Sequence, residues 1–362
     1  MLHCEARLPS DIGILTSLRL ELAYFSGLAW LRRRGAGVIL RFERVRPRRD
    51  AGFQPLQSGE ITPGFLDSTI TALKRWKLDI VSLDEACRRA VTLASPRRFV
   101  CLTFDGGYKD LVTSAYPVLS RHGVPFTAYV PTAFPDGVGE AWWLALEAVI
   151  AGESRLSLVV NGTERRFDIA GRSEKYQLYD FLCSWMRSLS PTDLSIAIND
   201  LCKRYSVNLA TLSREAFMDW GELSQLAADP LVTIGSATVN YPVLSSLKDA
   251  AALREMTMGM AVAEAAFRRD VKHFAYPFGD RTSFRRQHVA MAAEAGFASA
   301  ATAIPGVVES AGRTKLHALP RIAWDGRQRS LRAMRVMLSG LMLPPPASPP
   351  GLRAHSTAAT GR

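Results

Sequence analysis

The chain has 362 residues, 48% of them apolar and 22% charged, with a formal charge of +11. That apolar content can bury a large core and excludes a collagen-like, coiled-coil or globally disordered chain. The positive charge is crowded in arginine runs such as "LRRRGAG" and "RVRPRRD"; with no paired Cys/His finger and no aromatic-rich RNA-binding signature beside it, a solvated basic face is expected and nucleic acid is not an expected partner.

Residues 1–36 read as an N-terminal amphipathic helix region. Arg19 and Glu21 interrupt its apolar run, so the roughly 18 uncharged residues of a spanning helix are missing. The basic cluster follows the apolar part, and no small-residue cleavage site is evident. A cytoplasmic location is therefore expected, with peripheral membrane contact through the basic segment as the alternative. Five cysteines lack CxxC spacing, which argues against a disulfide framework or a structural zinc.

From residue 37 onward, apolar β-rich runs alternate with helical patterns. The strand candidates are 37–42, 78–81, 98–104, 125–130, 231–236, 271–276 and 297–303. Their near-continuous apolar character suits parallel strands covered on both faces. Between them, Thr62 and Pro63 start one helix, and Ser82 with Glu85 forms a capping box at another. The long run 247–270 is a further helix, whose methionines read as core filler. Residues about 137–225 break the alternation with mostly helical, tryptophan-bearing sequence, read as an insertion between two consecutive barrel strands. The barrel unit is expected to run over 37–340, followed by a proline-rich, then small and polar, flexible tail at 341–362. The alternation argues for an α/β architecture, either open sheet or barrel, with a mostly helical insertion.

No GxGxxG, phosphate-cradling loop, GxSxG elbow or HExxH is present. Three segments at strand ends remain: "TFDGGY" (103–108), "IGSATVNYP" (234–242) and "FAYPFG" (274–279). In a parallel barrel the loops after strands share one face, so Asp105, Ala237 to Tyr241, and Tyr276 to Gly279 converge there.

These segments, in this order, resemble the polysaccharide deacetylase family, the NodB-homology domain of carbohydrate esterase family four. Its motifs are TFDDG, HTxxH and, in many members, FAYPxG; here they stand as "TFDGG", "ATVNY" and "FAYPFG". The flanks "GVILRFERVRP", "AYPVLSRHGVPFTAYVPT", "AWWLALEAVIAG" and "LPRIAW" look like those of rhizobia-type members, and the likeness covers roughly residues 37–326. The resemblance implies the irregular (β/α) barrel of the NodB type and hydrolysis of N-acetyl groups, carbon–nitrogen bonds other than peptide, on aminosugar polymers such as chitooligosaccharides. In such enzymes one Asp and two His hold a divalent metal such as zinc, which activates a water. A second Asp acts as base, and a later His protonates the leaving amine.

Carried over residue by residue, Asp105 matches the base. The metal-ligand positions hold Gly106, Ala237 and Tyr241, so no metal cofactor is expected. His317 is the local candidate for the acid, and Glu43 stands where relatives often carry His. Tyr276, Pro277, Trp142 and Trp324 are candidates for binding an acetylated aminosugar oligo- or polysaccharide through stacking and loop contacts. The resemblance implies a deacetylase impaired by the missing ligands; the alternative is an inactive glycan-binding or partner-binding pseudoenzyme.

Overall fold

The computed structural model describes residues 20–26, 35–92, 97–327, 330–340 and 343. Most of the expected N-terminal helix region, apart from a helical turn at 20–25, and nearly all of the expected tail lie outside the described residues. In chain order the strands are β1 (Gly37–Phe42), β2 (Arg44–Val45), β3 (Glu60–Ile61), β4 (Asp79–Val81), β5 (Phe99–Asp105) and β6 (Phe126–Val130). There follow β7 (Arg155–Val160), β8 (Thr163–Asp168), β9 (Val232–Ser236), β10 (His273–Ala275), β11 (Ser299–Ala301) and β12 (Ile322–Ala323).

The main sheet has eight strands, in the order β11-β10-β9-β6-β5-β1-β12, with β4 beside the first half of β5. Every pairing in it is parallel. The sheet curls until one segment touches both edges: Leu319 bridges Ala301 on β11, and Ile322–Ala323 pairs with Leu40–Arg41 on β1. The result is the expected irregular (β/α) barrel. β1 and β5 are buried along their whole length, which is why both read as near-continuous apolar runs and not as alternating ones.

Local signals act as their chemistry requires. The Thr62 side chain accepts from Phe65 N–H at 3.2 Å and Pro63 opens the helix Pro63–Arg75, a cap worth about 1 kcal/mol. At Ser82 only half of the expected box forms. Ser82 accepts from Glu85 N–H at 3.3 Å, while the Glu85 carboxylate turns to Arg88 and Arg89, because two guanidinium groups within the next turn outbid one backbone donor.

Between the adjacent strands β6 and β9 lie five helices and the antiparallel hairpin β7–β8. The hairpin is absent from the sequence reading because β8 is exposed along its length and carries no apolar alternation. Among the described residues no helix is long and apolar enough to cross a membrane. Cys87, Cys101 and Cys202 are free thiols, whereas Cys183 is disulfide-bonded.

Candidate functional site

Asp105 is the last residue of β5 and sits opposite Tyr129 of β6. Beyond it the chain must turn sharply, and Gly106 and Gly107 do so at φ +98° and +69°, where side-chain-bearing residues are strained. The Gly106 amide donates to the Tyr129 carbonyl at 3.0 Å, which pins the turn to the next strand. Asp105 is 4% exposed.

Two guanidinium groups hold its carboxylate. Arg321, just ahead of β12, reaches Oδ1 through Nη1 at 2.6 Å and Oδ2 through Nη2 at 2.8 Å. Arg41, the penultimate residue of β1, donates its Nε–H to Oδ2 at 2.6 Å and pairs through Nη2 with Glu43 at 2.6 Å. Arg321 is further fixed by Thr302 O and by the Thr103 hydroxyl. Burial by itself would raise the Asp105 pKa, but the charges of Arg321 and Arg41 and their hydrogen bonds outweigh it, holding the group at about 2. Among the described residues, two guanidinium groups, Arg41 and Arg321, pair with two carboxylates, Asp105 and Glu43, the compensation that burial of charge requires.

Asp105, Gly106 and Tyr241 line one cavity of about 10 Å³ together with Arg41, Glu43 and Trp143, space for about one water. Ala237 is buried beside it in sequence and bonds through its amide to Val130 O. The turn from Ala237 to Tyr241 holds two non-glycine residues in the left-handed region, Thr238 (φ 71°) and Tyr241 (φ 57°). Strain of this kind, notable for a β-branched threonine, clusters at functional loops. The Tyr241 hydroxyl accepts from Phe278 N–H at 3.3 Å. Burial first, and then the Asp105 charge, push its pKa up to about 12, so it is a neutral phenol.

The remaining sequence candidates are spread out. Glu43 joins Asp105 in the cluster through Arg41. His317 lies in a 3-10 turn; its Nε2 is 2.7 Å from the Phe297 carbonyl, and it does not line the Asp105 cavity. Tyr276 donates to the His317 carbonyl at 2.8 Å and stacks on Phe284. Pro277 is buried. Trp324 stacks on Phe65 in the outer core. Trp142 packs edge-on against Trp143 and lines a groove of about 460 Å³, which reaches Tyr241 and Phe278.

Arg41 and Arg321 went unrecognised in the sequence. A signal existed for Arg41: it is the one charge inside the apolar strand "GVILRF", and a buried strand arginine needs a buried acid. Arg321 stands within the "LPRIAW" flank that the resemblance already contained.

The family model described as polysaccharide deacetylase matches residues 93–153, the stretch that carries "TFDGG". Three solved structures share the fold. The Streptococcus pyogenes deacetylase PplD is 15% identical with a TM-score of 0.53, covering 83% of this chain and 97% of its own. IcaB from Ammonifex degensii is 14% identical with a TM-score of 0.52, covering 84% and 98%. A de-N-acetylase from Aggregatibacter actinomycetemcomitans is 13% identical with a TM-score of 0.52, covering 83% and 99%. No curated protein sequence matches this chain. With the "TFDGG" stretch matched by the family model and these structures alike over most of their length, the chain has the fold of the polysaccharide deacetylases.

Proposed function

We propose that this protein binds an acetylated aminosugar oligo- or polysaccharide on the deacetylase scaffold without hydrolysing it. The observation that carries the reading is the occupied carboxylate of Asp105. A general base must be free to accept a proton from a positioned water. Here both carboxylate oxygens are committed to Arg321 and Arg41. A pKa near 2 also makes the group about a hundredfold weaker as a base than an ordinary carboxylate.

A divalent metal such as zinc does not fit the residues present. Gly106 and Ala237 offer no side-chain donor, Tyr241 is a neutral phenol engaged with Phe278, and Asp105 is ion-paired twice. Among the described residues no group of three His, Cys, Asp or Glu side chains lies together. Arg41 and Arg321 supply in place the positive charge that a buried Asp105 requires. The groove beside Tyr241 and Trp142 is the proposed ligand site, since Tyr241 lines both it and the Asp105 cavity.

The test pairs two measurements on one N-acetylated chitooligosaccharide: affinity by calorimetry, and acetate release with and without added zinc. Binding with no acetate in either case is the expected result. Zinc-stimulated acetate release that Asp105→Asn abolishes would overturn it and restore the hydrolytic reading.

A further inference from the structure

The helical turn at residues 20–25 is tied down on one side and open on the other. Leu20 is buried in the outer core, and Ala23 and Tyr24 pack against that core. Leu22 and Phe25 are left 68% and 71% exposed. They stand three positions apart, so on a helical turn they are neighbours on one face. Scattered exposed apolar side chains are ordinary, whereas an apolar pair set among cations has a definite chemistry.

The neighbouring elements supply the cations. The helix Leu331–Ser339 carries Arg332 and Arg335 and no acid. Arg332 lies over the Phe25 ring at 5.3 Å and over Tyr24 at 5.9 Å; one turn further along, Arg335 lies over Trp76 at 4.7 Å. That helix therefore runs between residues 20–25 and the end of the helix Pro63–Arg75. Trp76 is flanked by Arg75 and Lys77, both exposed. Acids on these elements are engaged: Glu21 accepts from Ser330 and pairs with Arg332, and Asp67 pairs with Arg121.

A specific protein interface buries on the order of 800 Å² a side, while one aromatic side chain offers about 150–250 Å². A lipid surface asks for less: a few apolar side chains at the headgroup boundary, held there by cations over anionic lipid. Arginine and lysine suit that boundary, because their stems lie along apolar surface while the charge stays among the headgroups. We infer that this face docks peripherally on an anionic lipid surface, with Leu22 and Phe25 entering the headgroup boundary and Arg75, Lys77, Arg332 and Arg335 facing the lipid phosphates. None of these residues lines the groove at Trp142, so the inference is independent of the glycan reading.

The test uses the full chain and vesicles of phosphatidylcholine, alone or mixed with phosphatidylserine, with binding read by flotation at low and high salt. The expected result is binding to the mixed vesicles that high salt weakens, since screening acts on exposed charges, and little binding to the neutral ones. Each cation near an anionic leaflet strengthens binding by about fivefold, so Arg75→Gln with Lys77→Gln should weaken it by about twentyfold. Phe25→Ser should weaken it by about tenfold. Unchanged thermal unfolding shows that both variants are folded. Equal binding to neutral and mixed vesicles, or mixed-vesicle binding that survives either set of substitutions, would overturn the inference. Absence of vesicle binding would overturn it outright, and a dimer dissolved by Phe25→Ser would then give the face to a second copy of the chain.

Discussion

Replacing Asp105 with asparagine keeps the side chain's shape and removes its charge. Arg321, fully buried, would then have no carboxylate, and Arg41 would keep only Glu43. Removing one partner of a buried ion pair typically destabilises by about 3–5 kcal/mol. For a domain above about 150 residues each kcal/mol moves Tm by about 2–4 °C, so Tm should fall by roughly 6–20 °C. The dependence on pH has a definite sign. The folded Asp105 pKa of about 2 lies below the unfolded value of about 3.9. Its stabilisation is therefore complete above pH ~4 and lost as pH falls from there through about 2. The shift corresponds to about 2–3 kcal/mol, smaller than the full effect because asparagine also leaves the guanidinium groups uncompensated. Thermal denaturation of the wild type and Asp105→Asn at neutral pH and at about pH 3 measures both numbers. A Tm unchanged at neutral pH, or a gap that does not narrow in acid, would refute the claim that Asp105 is the structural partner of two arginines.

Restoring a carboxylate with Gly106→Asp should destabilise by about 1–3 kcal/mol, since φ is +98° and the new Cβ would meet the Tyr108 ring at 2.8 Å; urea unfolding that shows no loss would contradict it. At the bottom of the barrel His273 Nδ1 lies 2.8 Å from the Ser299 hydroxyl and Nε2 3.2 Å from Asp84. Ser299→Ala should thus lower stability by about 1–3 kcal/mol, and a neutral result in the same assay would show that the ring finds another partner. His288 Nδ1 accepts from Arg285 N–H, and burial lowers its pKa. This contribution is present above the unfolded value of about 6.5 and falls as pH drops below it, so the Tm gap between wild type and His288→Asn should shrink from pH ~7.5 to pH ~5.5. A gap constant over that range would mean that the ring is protonated without loss of the cap.

What could be read along the chain followed from short-range physics. The seven expected strands correspond to β1, β4, β5, β6, β9, β10 and β11, because burial on both faces leaves an apolar run whatever the neighbours are. Thr62 acted as a cap because its donors lie within one turn. The missed elements were missed for different reasons. β12 is two residues long and exists only because β1 offers it a partner. The half-formed box at Ser82 was decided by arginines on the same helix, and the hairpin β7–β8 left no apolar pattern to read.

At the site, the sequence by itself determined that Gly106 and Ala237 bring no side-chain donor, since donor chemistry belongs to residue identity. Only the tertiary structure decided what Asp105 does instead. Arg41 and Arg321 approach it from positions 64 and 216 residues away, and that meeting depends on β1, β5 and the 319–323 segment closing one barrel. A carboxylate's proton affinity is set by the charges within a few ångströms of it. Chain order does not encode that distance; the closed sheet does.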